Sequence, residues 1–155
     1  MTLLHLHLLT NHLPVLGAAF ALGLLVFGQW RKSAELTKAA LGAFVIFAVL
    51  ALPAYFTGEP AEKGLKGTLG VPKPSIEEHE EAATAALIGS AVLGVASLAG
   101  LLFFGRGKAV PHWFASLIIA AALVVCALMA WTANLGGQIR HSEIRSSGRS
   151  IFRER

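Results

Sequence analysis

Charge is what this chain has least of. Asp, Glu, Lys and Arg together make up 14% of its 155 residues, against 55% hydrophobic residues. A soluble domain of this size carries about a quarter charged residues, so the composition excludes one, and with it any separate water-soluble catalytic unit. Cysteine is nearly absent: Cys126 stands alone, which excludes an intramolecular disulfide and leaves it a packing role as a small apolar side chain. Phosphate-cradling glycine loops and nucleophile elbows are missing. So are His-Glu-x-x-His and Glu-x-x-His, which excludes zincin and di-iron carboxylate chemistry. The amino terminus lacks a basic n-region and a small-residue cleavage site, and so reads as a membrane span rather than a cleaved signal. Basic residues exceed acidic ones to give a net charge of +4, but they are scattered over helix ends and the tail. No nucleic-acid partner is expected from such a distribution.

What is present is four charge-free stretches, residues 1–30, 39–58, 82–105 and 109–139, each reaching the ~20 residues a helix needs to cross hydrocarbon. The expected fold is all-α: one integral membrane four-helix up-down bundle, with spans at about 8–30, 36–57, 80–104 and 112–135. An external loop at 58–75 and a basic tail at 138–155 complete the single domain. Arg31, Lys32 and Lys38 in the first connection and Arg106 and Lys108 in the third point to the cytoplasm. Both termini then lie outside a bacterial inner membrane, although Arg140, Arg145, Arg149, Arg153 and Arg155 in the tail run against that rule.

Local signals refine the spans. Asn11-His12-Leu13-Pro14 reads as a polar helix start, Pro53 as a kink, and Thr57-Gly58-Glu59-Pro60 as a stop. Ser75 reads as the N-cap of a helix whose first turn, Ile76 to Glu81, is acid-rich. Gly136-Gly137 marks the end of the last span. Ala82, Ala86, Ser90 and Gly94 form a small-residue stripe suited to close helix packing.

Histidine carries the only candidate chemistry. Counting about 20 residues across the membrane places His5, His7, His12, His79 and His141 at one face and His112 at the other. Interfaces accept histidine readily, so each has a plain reading: His79 as a solvated helix-start residue, His12 as a hydrogen-bonded packing residue, His112 as structural. The sharper reading pairs His12 with His79. The first and third helices are diagonal in an up-down bundle, so the two imidazoles are placed to face each other across the core. Small residues beneath them leave a slot of the kind a b-type haem needs, and Arg140, Lys63 and Lys66 stand ready for its propionates. His5 with His141 offers a second site for haem or copper, and His5, His7 and His12 offer a copper site.

The expected function is therefore a small membrane b-type cytochrome that passes electrons, with quinol and a periplasmic carrier as partners. Its cofactor-binding residues are His12, His79, Arg140 and His141. An iron with two axial imidazoles has no open position for substrate, so the expectation is electron transfer rather than turnover. Two alternatives stand beside it: a non-redox accessory subunit of a larger membrane complex or homo-oligomer, and a copper- or zinc-binding membrane protein.

Several stretches together also carry a resemblance. They are His5-Leu6-His7-Leu8-Leu9-Thr10-Asn11-His12-Leu13-Pro14, Thr57-Gly58-Glu59-Pro60-Ala61-Glu62, Glu78-His79-Glu80 and Trp131 through His141 with its Leu135-Gly136-Gly137 centre. The chain resembles a family of uncharacterised bacterial four-span membrane proteins over almost its whole length. A related, broader group opens with a His-Phe-Pro motif, where this chain has Leu13 in place of Phe, and closes with Leu-Gly-Gly. The resemblance implies a four-helix membrane module, with His12, Glu59, His79, Gly136, Gly137, Arg140 and His141 as candidates for one shared site. It implies no established activity.

Overall fold

The computed structural model describes residues 10–63, 73–105 and 109–140, leaving aside the side chains of 59–63 and 140. Among these are four α-helices and no strand: α1 (His12–Trp30), α2 (Ala34–Lys63), α3 (Lys73–Phe104) and α4 (His112–Arg140). All four are long and apolar enough to cross a membrane, over His12–Trp30, Ala34–Gly58, Lys73–Phe104 and His112–Ile139. Each helix packs on its two neighbours in a ring, α1 on α2, α2 on α3, α3 on α4 and α4 on α1, and the last seam is the lightest. This is the expected up-down arrangement, with α1 and α3 diagonal.

Glycine sets how closely the helices approach. A Cβ at Gly17 would enter the ring of Phe47, and one at Gly28 would stand 3.0 Å from the Thr37 backbone nitrogen, so α1 and α2 meet there almost backbone to backbone. A Cβ at Gly94 would stand 2.6 Å from the Ala48 Cβ, and one at Gly89 3.3 Å from Val125 Cγ2. The expected small-residue stripe of α3 is thus a packing seam, continued by Ser97 and Gly100, which are buried along with Ala86, Ser90 and Gly94. Close approach matters in lipid because apolar burial alone does not drive helices together there. Between the seams, Leu25, Leu41 and Ile118 are fully buried, with Ala18, Phe44, Leu93, Val125 and Met129 around them. Leu16, Phe20, Ile46, Val92, Val95, Leu102 and Leu123 point outward, as side chains bathed in hydrocarbon do.

Four helix ends differ from the sequence reading. Asn11 is helical itself (φ −64°, ψ −28°) and makes no side-chain cap, so the chain is already turning before the tetrapeptide. The second helix continues through Thr57-Gly58-Glu59-Pro60 to Lys63, with Thr57 Oγ1 donating back to the Pro53 carbonyl at 2.7 Å. Proline removes a donor without ending the helix, as membrane-spanning helices tolerate. Likewise, α3 starts at Lys73, so Ser75 lies inside its first turn, and α4 runs through Gly136-Gly137 to Arg140. The expected loop at 58–75 is correspondingly shorter at both ends. Trp131 and Phe56 are exposed near one end of the bundle, and Trp30, Trp113 and Phe103 near the other. These two aromatic belts are the interfacial anchors of a bilayer protein. Beyond the first belt the bundle carries a further polar tier built from the start of α3 and the end of α4.

Candidate functional site

The contacts between helices fix the depth of each candidate side chain. Gly17 lies against Phe47, Ala48 against Gly94, Tyr55 against Thr84, Val125 against Gly89, and Gln29 against His112. Along these rungs His12 is level with Pro53, Ile88 and Met129. His79 is nine residues nearer the start of α3 than Ile88, which is about 13 Å along the axis at 1.5 Å per residue. His12 is also exposed on the outer side of α1, as are Leu16, Ala19 and Gly23 below it, while Val15 is half-buried against the core. Most of the face expected to form a slot beneath His12 is therefore outward surface.

His79 turns the other way. Its half-buried ring lies against α4, where Nδ1 donates to the Thr132 carbonyl at 3.1 Å. A Cβ at Gly136 would stand 3.1 Å from its Cε1, so the missing side chain at Gly136 is what admits the imidazole. A carbonyl can only accept, so Nδ1 carries the proton and the tautomer is set. The glutamates do not orient this ring through Nδ1. Glu77, Glu78 and Glu81 are exposed, and Glu77 lies 3.9 Å from Lys73 one turn back.

Two axial imidazoles must converge on one iron from opposite sides of the porphyrin. His12 and His79, separated in depth and turned to different surfaces, do not fit that group within one chain. A recess bounded by Ala18, Phe47, Ser90, Leu93 and Met129 has room for about one water molecule. Of the other expected site residues, His5, His7, Lys66 and His141 lie outside the described residues, as do the side chains of Glu59, Lys63 and Arg140. Among the described residues no three His, Cys, Asp or Glu side chains gather as a metal site would require.

The structure also joins residues that sequence reasoning passed over. At the opposite end, His112 Nδ1 lies 2.9 Å from Gln29 Oε1, Gln29 Nε2 donates to Thr37 Oγ1 at 3.0 Å, and Thr37 Oγ1 donates to the Ser33 carbonyl at 2.9 Å. The chain of bonds has one direction. Ser33 O must accept, so Thr37 is its donor, Gln29 presents its NH2 to Thr37, and its oxygen takes the Nδ1 proton of His112. The run ties α1, α2 and α4 together and leaves Nε2 as the ring's outward atom. Lys38 Nζ reaches the Gly105 carbonyl at 3.3 Å in the same tier. The sequence signal was a polar residue, Gln29, next to the end of a charge-free run.

Beside this tie, α1 closes in a Schellman turn. Ser33 N–H bonds to Gly28 O at 2.9 Å and Lys32 N–H to Gln29 O at 3.1 Å. The left-handed residue of that turn is Lys32, with φ 51°, where glycine is usual because a Cβ crowds the following carbonyl.

No family model, curated protein or solved structure matches the chain.

Proposed function

We propose that the chain is a non-redox accessory subunit that assembles into a larger membrane complex through its outward helix faces. One observation carries this reading: small residues lie open on the outward faces of two helices, where they leave room for the backbone of another helix. Gly23, on which a Cβ would meet nothing within 4 Å, and Ala19 form a flat exposed strip on α1. Ser116 and Ala120 do the same on α4. Small residues of this kind let a foreign helix approach closely in lipid.

Extraction in a mild detergent followed by native mass measurement tests the proposal. A second polypeptide recovered in fixed ratio is expected, and a monodisperse 16.3 kDa species recovered alone would reject it. The cytochrome reading keeps one specific support, the Nδ1–H bond of His79 to Thr132, an arrangement common behind metal-bound imidazoles. It requires an axial partner other than His12. A Soret band in protein purified with haem supplied, abolished by His79→Ala, would favour it over the accessory role.

A further inference from the structure

We propose that Arg31 and Lys32, beside His112, form a headgroup site for an anionic phospholipid at the rim of the α1–α4 seam. The site's position follows from the hydrogen bond between Gln29 and His112, which puts the start of α4 beside the last turn of α1. Arg31 and Lys32 are the next residues but one after that bond and are both exposed, as is His112. Trp30 and Trp113 flank them, 76% and 66% exposed, so the cations stand at the depth where indole rings mark the lipid headgroups.

Charge complementarity decides the partner. Among the described residues, the charged and titratable groups at this rim are Arg31, Lys32, Lys38 and His112 against one carboxylate, Glu35. Lys38 is held on the Gly105 carbonyl, so of these Arg31 and Lys32 are the exposed cations open to an outside anion. A phosphate diester with a lipid tail suits this setting. The charges take the phosphate, and the tails lie along the exposed Phe27, Trp30 and Trp113 rings.

Lys32 supplies an independent sign. The turn would be better served by glycine, yet it holds a cation at positive φ, a conformation sustained against local strain. Fold and charge are in conflict at this residue, so one substitution separates them.

The test reconstitutes the full chain in bilayer discs of phosphatidylcholine doped with phosphatidylglycerol and counts the lipid retained per protein. Phosphatidylglycerol should be enriched around the protein. Lys32→Gly and Arg31→Gln should each lower that enrichment about fivefold, as expected for loss of one near-surface cation. Lys32→Gly should do so while resisting denaturation better than the parent. Lys73→Gln, at the far end of the bundle, should leave the enrichment unchanged. Equal enrichment in all variants, enrichment lost equally with Lys73→Gln, or full displacement by millimolar inorganic phosphate would each overturn the proposal.

Discussion

His79 and Gly136 meet across the α3–α4 seam: the imidazole fills the space that any side chain at position 136 would take, with a Cβ there only 3.1 Å from Cε1. The neighbouring Gly137 faces nothing within 4 Å. Two adjacent glycines in one helix thus do opposite things, and alanine separates them. Gly137→Ala should stabilise the bundle by about 0.5–1 kcal/mol through the helix preference of alanine. In Gly136→Ala the ring must shift, which cancels that gain, so the two variants should differ by about 1 kcal/mol. Unfolding in mixed micelles of rising SDS fraction measures the difference, and identical curves would show that the His79 contact is slack.

Gly94 and Gly42 make a second pair. A methyl at Gly94 meets the Ala48 Cβ at 2.6 Å, and a methyl fixed to backbone cannot step aside, whereas Gly42 has open space. Gly94→Ala should cost about 1–3 kcal/mol, the usual range for overpacking. Gly42→Ala should be neutral or mildly stabilising. The same unfolding assay reads both.

Ser97 is wholly buried and its Oγ has no hydrogen-bond partner. A lone buried hydroxyl contributes nothing that offsets its desolvation. Ser97→Ala is therefore expected to raise stability by up to about 1 kcal/mol. A loss of stability would mean that the hydroxyl finds a partner in the membrane-embedded protein.

The Gln29–His112 bond predicts a tautomer. Nitrogen chemical shifts of neutral His112 should show the proton on Nδ1 in the parent and the ordinary mixed population in Gln29→Ala. A double-mutant cycle of Gln29→Ala with His112→Ala should give a coupling of about 0.5 kcal/mol, as for an exposed hydrogen bond. A mixed population in the parent would break the proposed direction of the chain from His112 to Ser33.

The four spans were legible because absence of charge over a membrane thickness leaves helices as the one structure that satisfies every backbone group. Their ends were not. Gly58-Glu59-Pro60 and Gly136-Gly137 carry the stop signals of helices in water, but α2 and α4 stay helical past them, and at Gly136 the ring of His79 packs on the helix. Gly136 is present for the ring of His79, a contact with no trace in local sequence. The shared layer of His12 and His79 failed for a related reason. Counting from Trp30 and Phe104 assumes each helix begins its span at the same level, whereas depth is set by which glycine receives which side chain. Direction around the helix decided the rest: Ala18 and Ala21 of α1 are buried, and Leu16, Ala19 and Gly23 between and beside them are exposed.

The lightness of the α1–α4 seam bears on how the bundle is made. Its Gln29–His112 tie joins positions 83 residues apart, while α1 with α2 and α3 with α4 are hairpins of neighbouring segments. Loop closure makes local pairs quick and distant ones slow, so the ring is expected to shut along this seam last. A headgroup bridging the α1 turn and the start of α4 would sit where that closure ends. The leaflet itself would then act as the latch, and a membrane poor in anionic lipid would leave the ring free to reopen.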